Sequence, residues 1–157
     1  MAGGSLTTDG RILLVENRRR NGSLDWSTPG GVVDPGESDL GALTREVVEE
    51  TGISVEAWTP PLYTVEVTAP DMGWAMQAVV HRSLGHSGDI HIDDPDQIVT
   101  QARWVAAAEA RELLGSSPVW LHEPLVDRWA ADDDHAPVFG YEVRGVDRAS
   151  FDVRRVA

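Results

Sequence analysis

The hydrophobic pattern near the start of the chain is that of a buried strand. Residues 11–16 contain four consecutive apolar side chains directly after an Asp-Gly turn signal. A short apolar run bounded by a turn is typical of a strand that is covered on both faces. Residues 17–25 are polar and contain three consecutive arginines followed by Asn-Gly, so they predict a loop or the tip of a hairpin.

A helix over residues 38–51 is the clearest element that the pattern predicts. Leu40, Leu43 and Val47 recur at steps of three and four, which places them on one face of a helix. The serine at the first position can cap the amino terminus, and Gly52 stands where a left-handed carboxyl-terminal cap belongs. We therefore expect a helix whose apolar face packs on the rest of the protein.

Further along the chain, alternating and short apolar runs predict more strands and two more helices. The predicted strands cover residues 53–58, 62–68, 74–84, 102–105 and 139–143, and Pro60-Pro61 separates the first two. The predicted helices cover residues 106–114 and 118–131. Residues 85–97 predict an acidic loop with a candidate short strand at 90–92. This order of elements predicts an α/β fold, in which helices pack on a mixed sheet.

Length and composition narrow the class of protein. A chain of 157 residues with 41% hydrophobic residues has the size of one domain and can form a core without disulfides. We predict a single domain over residues 1–157, with residues 116–157 as a C-terminal extension of the minimal fold. The lack of cysteine excludes disulfide frameworks, cysteine nucleophiles and thiolate metal sites. No apolar run has membrane length and no signal peptide is visible, so the predicted location is the cytoplasm, without a membrane partner.

The net charge excludes one class of partner and raises a question about the acidic residues. Thirteen basic residues against 26 acidic ones give a net charge of −13. Binding to duplex nucleic acid needs clustered Lys and Arg, so it is not expected. The acidic excess can serve solubility alone, or some of the carboxylates can hold a cation.

The predicted helix concentrates acidic residues on one face. Glu46, Glu49 and Glu50 stand at i, i+3 and i+4, so they are neighbours on the helix surface and repel one another. A divalent cation would remove this penalty, and carboxylate oxygens suit Mg²⁺ or its substitute Mn²⁺. Arg45 lies one turn before Glu49 and can pair with a carboxylate. Glu37 stands near the helix start, where the helix dipole favours a negative charge.

The segment from Gly31 to Ile53 resembles the Nudix box of Nudix hydrolases, G-x5-E-x7-R-E-U-x-E-E-x-G-U, where U is aliphatic. Every defined position is filled without an insertion, by Gly31, Glu37, Arg45, Glu46, Val47, Glu49, Glu50, Gly52 and Ile53. In element order and spacing the resemblance extends from about residue 11 to residue 114. It implies a Nudix α/β/α sandwich in which the box forms a loop–helix–loop.

The resemblance also implies an activity and roles for the box residues. The activity is Mg²⁺-dependent hydrolysis of a nucleoside diphosphate linked to another moiety, a pyrophosphohydrolase reaction with a nucleoside triphosphate as first choice. The implied metal ligands are Glu46, Glu49, Glu50 and the carbonyl of Gly31. Glu46 is also the predicted general base, and the positions of Arg45 and Glu37 imply that they orient the cluster.

Substrate contacts outside the box are predicted from residue type alone. The three consecutive arginines, Arg18, Arg19 and Arg20, can contact a distal phosphate, or can form a solvated hairpin tip, and Arg18 and Arg20 are the two assigned to substrate binding. Trp74 can stack on a base, and Tyr63 and Tyr141 are further candidates, with core packing as the alternative for each. The loop carboxylates Asp93, Asp94 and Asp96 can supply a base or an added metal ligand, or can simply be solvated.

Two other functions occur on the same fold. A non-catalytic nucleotide-binding module is the main alternative, although such modules typically lose box carboxylates and this chain has lost none. Isopentenyl diphosphate isomerase chemistry uses a cysteine, which this chain lacks. The aromatic residues after Pro118 predict that the C-terminal part lines the substrate pocket or a homodimer interface.

Overall fold

The computed structural model describes residues 1–157, except for the side chain of Arg148. The helices are α1 (Asp39–Thr51), α2 (Ala107–Leu114) and α3 (Val119–Arg128), and 3-10 turns cover Pro70–Met72 and Arg148–Ser150. The strands are β1 (Ala2–Ser5), β2 (Thr7–Thr8), β3 (Arg11–Arg18), β4 (Leu24–Ser27), β5 (Gly30–Gly31), β6 (Ser54–Val55), β7 (Trp58–Ala69), β8 (Trp74–Ser83), β9 (His86–Ser87), β10 (Val99–Ala106), β11 (Val138–Arg144) and β12 (Asp152–Arg155).

The strands form two main sheets. The larger sheet has the order β12-β11-β7-β8-β1-β5 and is mixed, because β1 runs parallel to β8 and β11 runs parallel to β7 while the other pairs are antiparallel. The smaller sheet has the order β10-β3-β2, and β4 pairs with β3 beside β2. Strands β6 and β9 form a short separate ladder. The predicted mixed α/β architecture is confirmed.

Strand β3 lies between two hydrophobic cores, which explains its unbroken apolar run. Ile12 and Leu14 pack in a core shared with the larger sheet and with helices α2 and α3. Leu13 and Val15 point the other way and pack against helix α1. Because side chains alternate between the two faces of a strand, a strand that is covered on both faces needs apolar residues at every position.

Helix α1 follows the predicted bounds closely. The Ser38 hydroxyl accepts a hydrogen bond from the Gly41 amide at 3.1 Å, and Gly52 has the left-handed conformation with φ of 76°. Leu43 and Val47 are fully buried, as predicted. Leu40 is 40% exposed, so its assignment to the core face was wrong. It lies in the first turn of the helix, beyond the edge of the core below.

Two predictions about strand boundaries were also wrong. Strand β7 continues through Pro60-Pro61 instead of breaking there. The pairing with β8 is irregular on both sides of Pro61, and such an irregularity accommodates residues that cannot donate to the ladder. Residues 90–92 are not a strand, since the short ladder partner in this loop is His86–Ser87.

Strand β1 carries no sequence signal of a strand, because it consists of Ala, Gly and Ser. It nevertheless pairs with both β8 and β5 inside the larger sheet. A Cβ atom added to Gly4 would lie 2.8 Å from the Trp58 ring, so this neighbour requires the small residue. Among the described residues no helix is long and apolar enough to cross a membrane.

Candidate active site

Of the predicted site residues in the box, Gly31, Arg45, Glu46, Glu49 and Glu50 line one cleft of about 440 Å³ at the β1–β5 edge of the larger sheet, whereas Glu37 is not among its lining residues. We call it the acidic cleft. Strand β5 supplies Gly30 and Gly31, helix α1 supplies Arg45 and the predicted metal ligands, and the loop before β10 supplies Asp94 and Asp96. The carboxylates that line it are Asp34, Glu46, Glu49, Glu50, Asp94 and Asp96. Local repulsion is therefore strong in this cleft.

Two consecutive glycines bring strand β5 against helix α1. A Cβ atom on Gly31 would lie 2.5 Å from Cδ of Glu46, so only glycine lets this carboxylate approach the strand. The amide of Gly30 donates a hydrogen bond to Oε2 of Glu50 at 2.9 Å. Gly30 also has a φ of 148°, and its Cβ would lie 2.2 Å from the carbonyl oxygen of Ala2.

Arg45 is the hub of the acidic face. Its Nε and Nη2 donate to the two carboxylate oxygens of Glu37 at 2.9 and 3.1 Å. Its Nη1 donates to Glu46 at 3.0 Å and to Glu49 at 3.1 Å. These hydrogen bonds raise the pKa of Arg45 and lower that of Glu37. The predicted roles of Arg45 and Glu37 as orienting residues stay predictions, and this geometry supports them.

Glu50 is the most buried carboxylate of the cleft. It is 8% exposed, and burial raises its pKa to about 8, although the Gly30 amide opposes this shift. Its Oε1 atom accepts no hydrogen bond from any described residue, and it is not fully shielded from solvent. This oxygen is therefore open to the cleft. Burial also raises the pKa of Glu46.

The donor set of the cleft fits a hard divalent cation. Carboxylate oxygens of Glu46, Glu49 and Glu50 share the cleft with the backbone of Gly31, and oxygen ligands of this kind suit Mg²⁺. In the described part of the chain, no group of three acidic or histidine side chains already has the arrangement of a preformed metal site. The Arg45 guanidinium explains this, because it already bridges Glu46 and Glu49 and provides the positive charge there.

The structure separates the three consecutive arginines. Arg18 and Arg20 are exposed and are not among the described residues that line the cleft. Arg19 lines it instead. Its Nε and Nη2 donate to the buried carboxylate of Asp25 at 2.6 and 2.7 Å. Neighbouring side chains at a strand end point in opposite directions, which separates Arg19 from the other two.

The aromatic residues that the sequence proposes for base stacking lie in three different places. Trp74 begins β8 opposite Ala69, is 38% exposed, and does not belong to the described lining of the cleft. Tyr141 is buried, and its hydroxyl donates to Glu123 at 2.9 Å. Tyr63 is buried too and lines a second cavity that adjoins the cleft. Substrate binding by Arg18, Arg20 and Trp74 stays a prediction without support from their position.

The loop carboxylates have different positions. Both oxygens of Asp94 are used within the loop, since they accept from the amides of Asp96, Ile98 and Val99 at 3.0, 2.8 and 2.8 Å. Asp96 is exposed and lines the cleft, and its charge raises the pKa of Glu46. The amide of Asp93 donates to the Glu49 carbonyl at 2.9 Å, which docks the loop on helix α1.

Comparison with known proteins decides the family. The sequence model of the NUDIX domain matches residues 4–126 of this chain. The chain belongs to the Nudix hydrolase family. This confirms the predicted family, the Nudix α/β/α sandwich and the enzyme class, a hydrolase that acts on phosphorus-containing acid anhydrides. Nudix hydrolases generally use a divalent metal.

Individual relatives agree with this assignment. The RNA pyrophosphohydrolase of Caulobacter vibrioides is 32% identical over 132 residues, which are 75% of this chain and 77% of the relative. The crystal structure of a MutT Nudix hydrolase from Burkholderia pseudomallei has 30% identity and a TM-score of 0.60, and the match covers 74% of this chain and 95% of that one. A Nudix hydrolase from Nitrosomonas europaea has the same fold, with 23% identity, a TM-score of 0.67, and coverage of 80% and 84%.

Proposed function

We propose that this Nudix hydrolase is an Mg²⁺-dependent pyrophosphohydrolase that cleaves a nucleoside diphosphate linked to another moiety. The observation that carries the proposal is the convergence of Glu46, Glu49 and Glu50 with Gly31 on one cleft. Because the acidic cleft and a polyphosphate are both anionic, the substrate requires cations between them. The side chains of the three glutamates and the carbonyl of Gly31 are the groups that would hold these cations.

The chain's own residues would divide the work as follows. Bound Mg²⁺ would neutralise phosphate charge and make a water molecule more acidic. Arg45 and Glu37 hold the carboxylates of the helix in a fixed arrangement through a set of short hydrogen bonds. Glu46, pressed against Gly31, is our candidate to accept the proton of the attacking water. Water attack on the α- or β-phosphorus of a triphosphate would break the P–O bond that bridges them and release a nucleoside monophosphate and pyrophosphate.

Nucleoside triphosphates are the first candidate substrates. Arg19 and Arg45 are the cationic side chains in the described lining of the cleft, and both are already paired with carboxylates. A long anionic chain would find little support there, so a mononucleotide fits better. The name of the Caulobacter relative makes a 5′-triphosphorylated RNA end the second candidate. The cytoplasmic location and a homodimer stay predictions.

The test is a substrate panel assayed with Mg²⁺ and then with Mn²⁺. The panel contains the four nucleoside triphosphates, a nucleotide sugar, ADP-ribose, a dinucleoside polyphosphate and a 5′-triphosphorylated RNA oligonucleotide, and the products are identified by mass. We expect Glu49→Gln to lower kcat/KM by about three orders of magnitude with an unchanged thermal unfolding curve.

A matched variant makes this test decisive. Glu112 is exposed on helix α2 outside the acidic cleft, so Glu112→Gln removes the same charge and keeps full activity. Full activity of Glu49→Gln would contradict the proposed site. Tight nucleotide binding by the wild type without turnover of any diphosphate would instead support the non-catalytic alternative.

A further inference from the structure

Strand β12 forms one edge of the larger sheet, at the end opposite the acidic cleft. The strand order begins with β12 and ends with β5, and β12 pairs with β11 alone among the described strands. An edge strand presents N–H and C=O groups that can pair with another strand, and proteins often block this with proline, a bulge or charge. Residues 151–155 contain no proline and carry charges of both signs. This edge is therefore open to a strand of complementary charge.

The pairing with β11 shows which backbone groups of β12 face outward. The Val156 amide donates to the Gly140 carbonyl at 2.8 Å, so the backbone polar groups of Val156 face inward, to β11. Along an antiparallel strand these groups alternate between the two sides. Val153 and Arg155 are one and three positions out of step with Val156, so their N–H and C=O groups face outward. A strand added to this edge would pair through these two residues.

The side chains of β12 lie on two faces with different surroundings. Val153 packs against the core next to helix α3, and Arg155 donates to Glu123 of this helix at 2.7 Å. Because side chains alternate along a strand, Asp152 and Arg154 lie on the opposite face, where both are exposed. Neither forms an ion pair with a described side chain. Two opposite charges are therefore available on the exposed face of the edge.

Charge selects one register for the pairing of β12 with a second copy of itself around a two-fold axis. Because the outward backbone groups belong to Val153 and Arg155, the axis can pass through Val153, Arg154 or Arg155. An axis through either arginine places it opposite its own copy. An axis through Val153 places Asp152 opposite Arg154 of the copy, and the symmetry repeats this pair. These are non-hydrogen-bonded positions, at which facing side chains approach most closely.

We propose that two copies of this chain associate through β12, in the register centred on Val153, and form one continuous sheet. The N–H and C=O groups of Val153 pair across the axis, and two ion pairs between Asp152 and Arg154 flank them. The paired edge is short, so the interface belongs to the small, weak class, and we expect a dissociation constant of about 10–100 µM.

A groove beside β12 adds apolar surface to this interface. It has a volume of about 750 Å³, and its apolar walls include Leu24, Val119, Trp120, Phe151 and Val153. Leu24 is 48% exposed. Because Val153 lies on the proposed axis, the grooves of the two copies meet there, and association covers part of both. The acidic cleft lies at the other edge of the sheet, so both clefts stay accessible in the dimer.

The test measures association of the full chain by sedimentation velocity, from about 1 µM to about 500 µM. We expect Asp152→Arg and Arg154→Asp each to raise the dissociation constant at least about tenfold, because each change makes both proposed pairs like-charged. Arg11→Asp is the matched control. It makes the same change of charge at an exposed arginine of β3 in the smaller sheet, and it keeps the wild-type dissociation constant.

Mixing the two variants tests the register itself. Asp152→Arg carries arginine at both positions and Arg154→Asp carries aspartate at both, so every facing pair in a mixed dimer again has opposite charges. We expect the mixture to associate with a dissociation constant within about threefold of the wild type. The double variant, in which the two residues are exchanged within one chain, should do the same. Thermal unfolding checks that each variant is folded.

The outcomes separate this inference from the proposed reaction. A wild type that stays monomeric throughout would leave the edge to a strand of another protein and would overturn the dimer. Single variants that associate like the wild type, or a mixture that does not associate, would overturn the β12 register. The expected pattern in a chain that hydrolyses no diphosphate would support the interface and contradict the reaction.

Discussion

The acidic cleft adjoins a second cavity of about 130 Å³, the inner cavity, and the two share Met1, Asn17, Arg19, Gly30 and Gly31, yet the rest of their walls differ in chemistry. The cleft contains six carboxylates and two paired arginines. The inner cavity has mainly apolar walls, with Arg19 and a few neutral polar side chains among them. On the proposed function, we expect charge neutralisation to dominate binding in the cleft, and shape and hydrogen bonding to dominate in the inner cavity.

The two regions also differ in how the chain builds them. The predicted metal ligands of the cleft all come from one segment of about 20 residues, between Gly31 and Glu50. Helix α1 fixes the spacing of the three glutamates among them. The walls of the inner cavity come from β1, β3, β7, β8 and α3, which are far apart in the sequence. A single substitution in the cleft therefore changes a local cluster, while one in the cavity changes a surface shared by several elements.

The largest expected effect tests the hydrophobic core under helix α1, the helix that carries the carboxylates of the cleft. Leu43 is fully buried under helix α1, so Leu43→Ala should lower the free energy of unfolding by about 3 kcal/mol. Leu40→Ala is the matched control, because Leu40 is 40% exposed, and its effect should stay below about 0.5 kcal/mol. Urea denaturation measures both. Similar losses in the two variants would show that the first turn of the helix is packed after all.

The second largest expected effect distinguishes a change in the geometry of the acidic cleft from a change in the stability of the fold. A Cβ on Gly31 meets the far end of the Glu46 side chain, so Gly31→Ala should displace this carboxylate and lower kcat/KM about 100-fold, with little change in stability. A Cβ on Gly30 meets the backbone of Ala2, so Gly30→Ala should cost about 2 kcal/mol of stability. Kinetics and denaturation on both variants decide. An active Gly31→Ala would argue against the role of Glu46.

The smallest expected effect belongs to the inner cavity. Trp120 lines it from helix α3, so Trp120→Ala should raise KM for the preferred nucleoside triphosphate about tenfold and leave kcat within a factor of two. Trp74, which the sequence also predicts to bind the base, lies outside both cavities as they are described, so Trp74→Ala should change KM less than threefold. The reverse order of the two effects would restore the original prediction.

Local features explain what could be predicted from the sequence. The bounds of helix α1 depend on Ser38 and Gly52, and both caps act within four residues of themselves. The acidic face depends on spacing along the same helix. The hub role of Arg45 also involves only nearby residues, since its partners lie between Asp34 and Glu49.

Other features depend on contacts between distant segments, and no local pattern indicates them. Strand β1 has weak strand propensity, and its place is decided by the neighbours that its small residues admit, such as Trp58 against Gly4. Arg19 lines the cleft and its two neighbours do not, because side chains at the end of strand β3 point in alternating directions. The surroundings of the buried Tyr63 side chain likewise depend on strands that are distant in the sequence.

The pairing of Arg45 with the box carboxylates has a consequence for how this protein matures. Since the guanidinium already offsets the repulsion between Glu46 and Glu49, we expect the polypeptide to reach its native shape without an ion. Folding and metal loading are then separate events, unlike in small domains that collapse when a chelator removes their zinc. We expect the proposed ions to be lost and regained while the architecture of the enzyme persists.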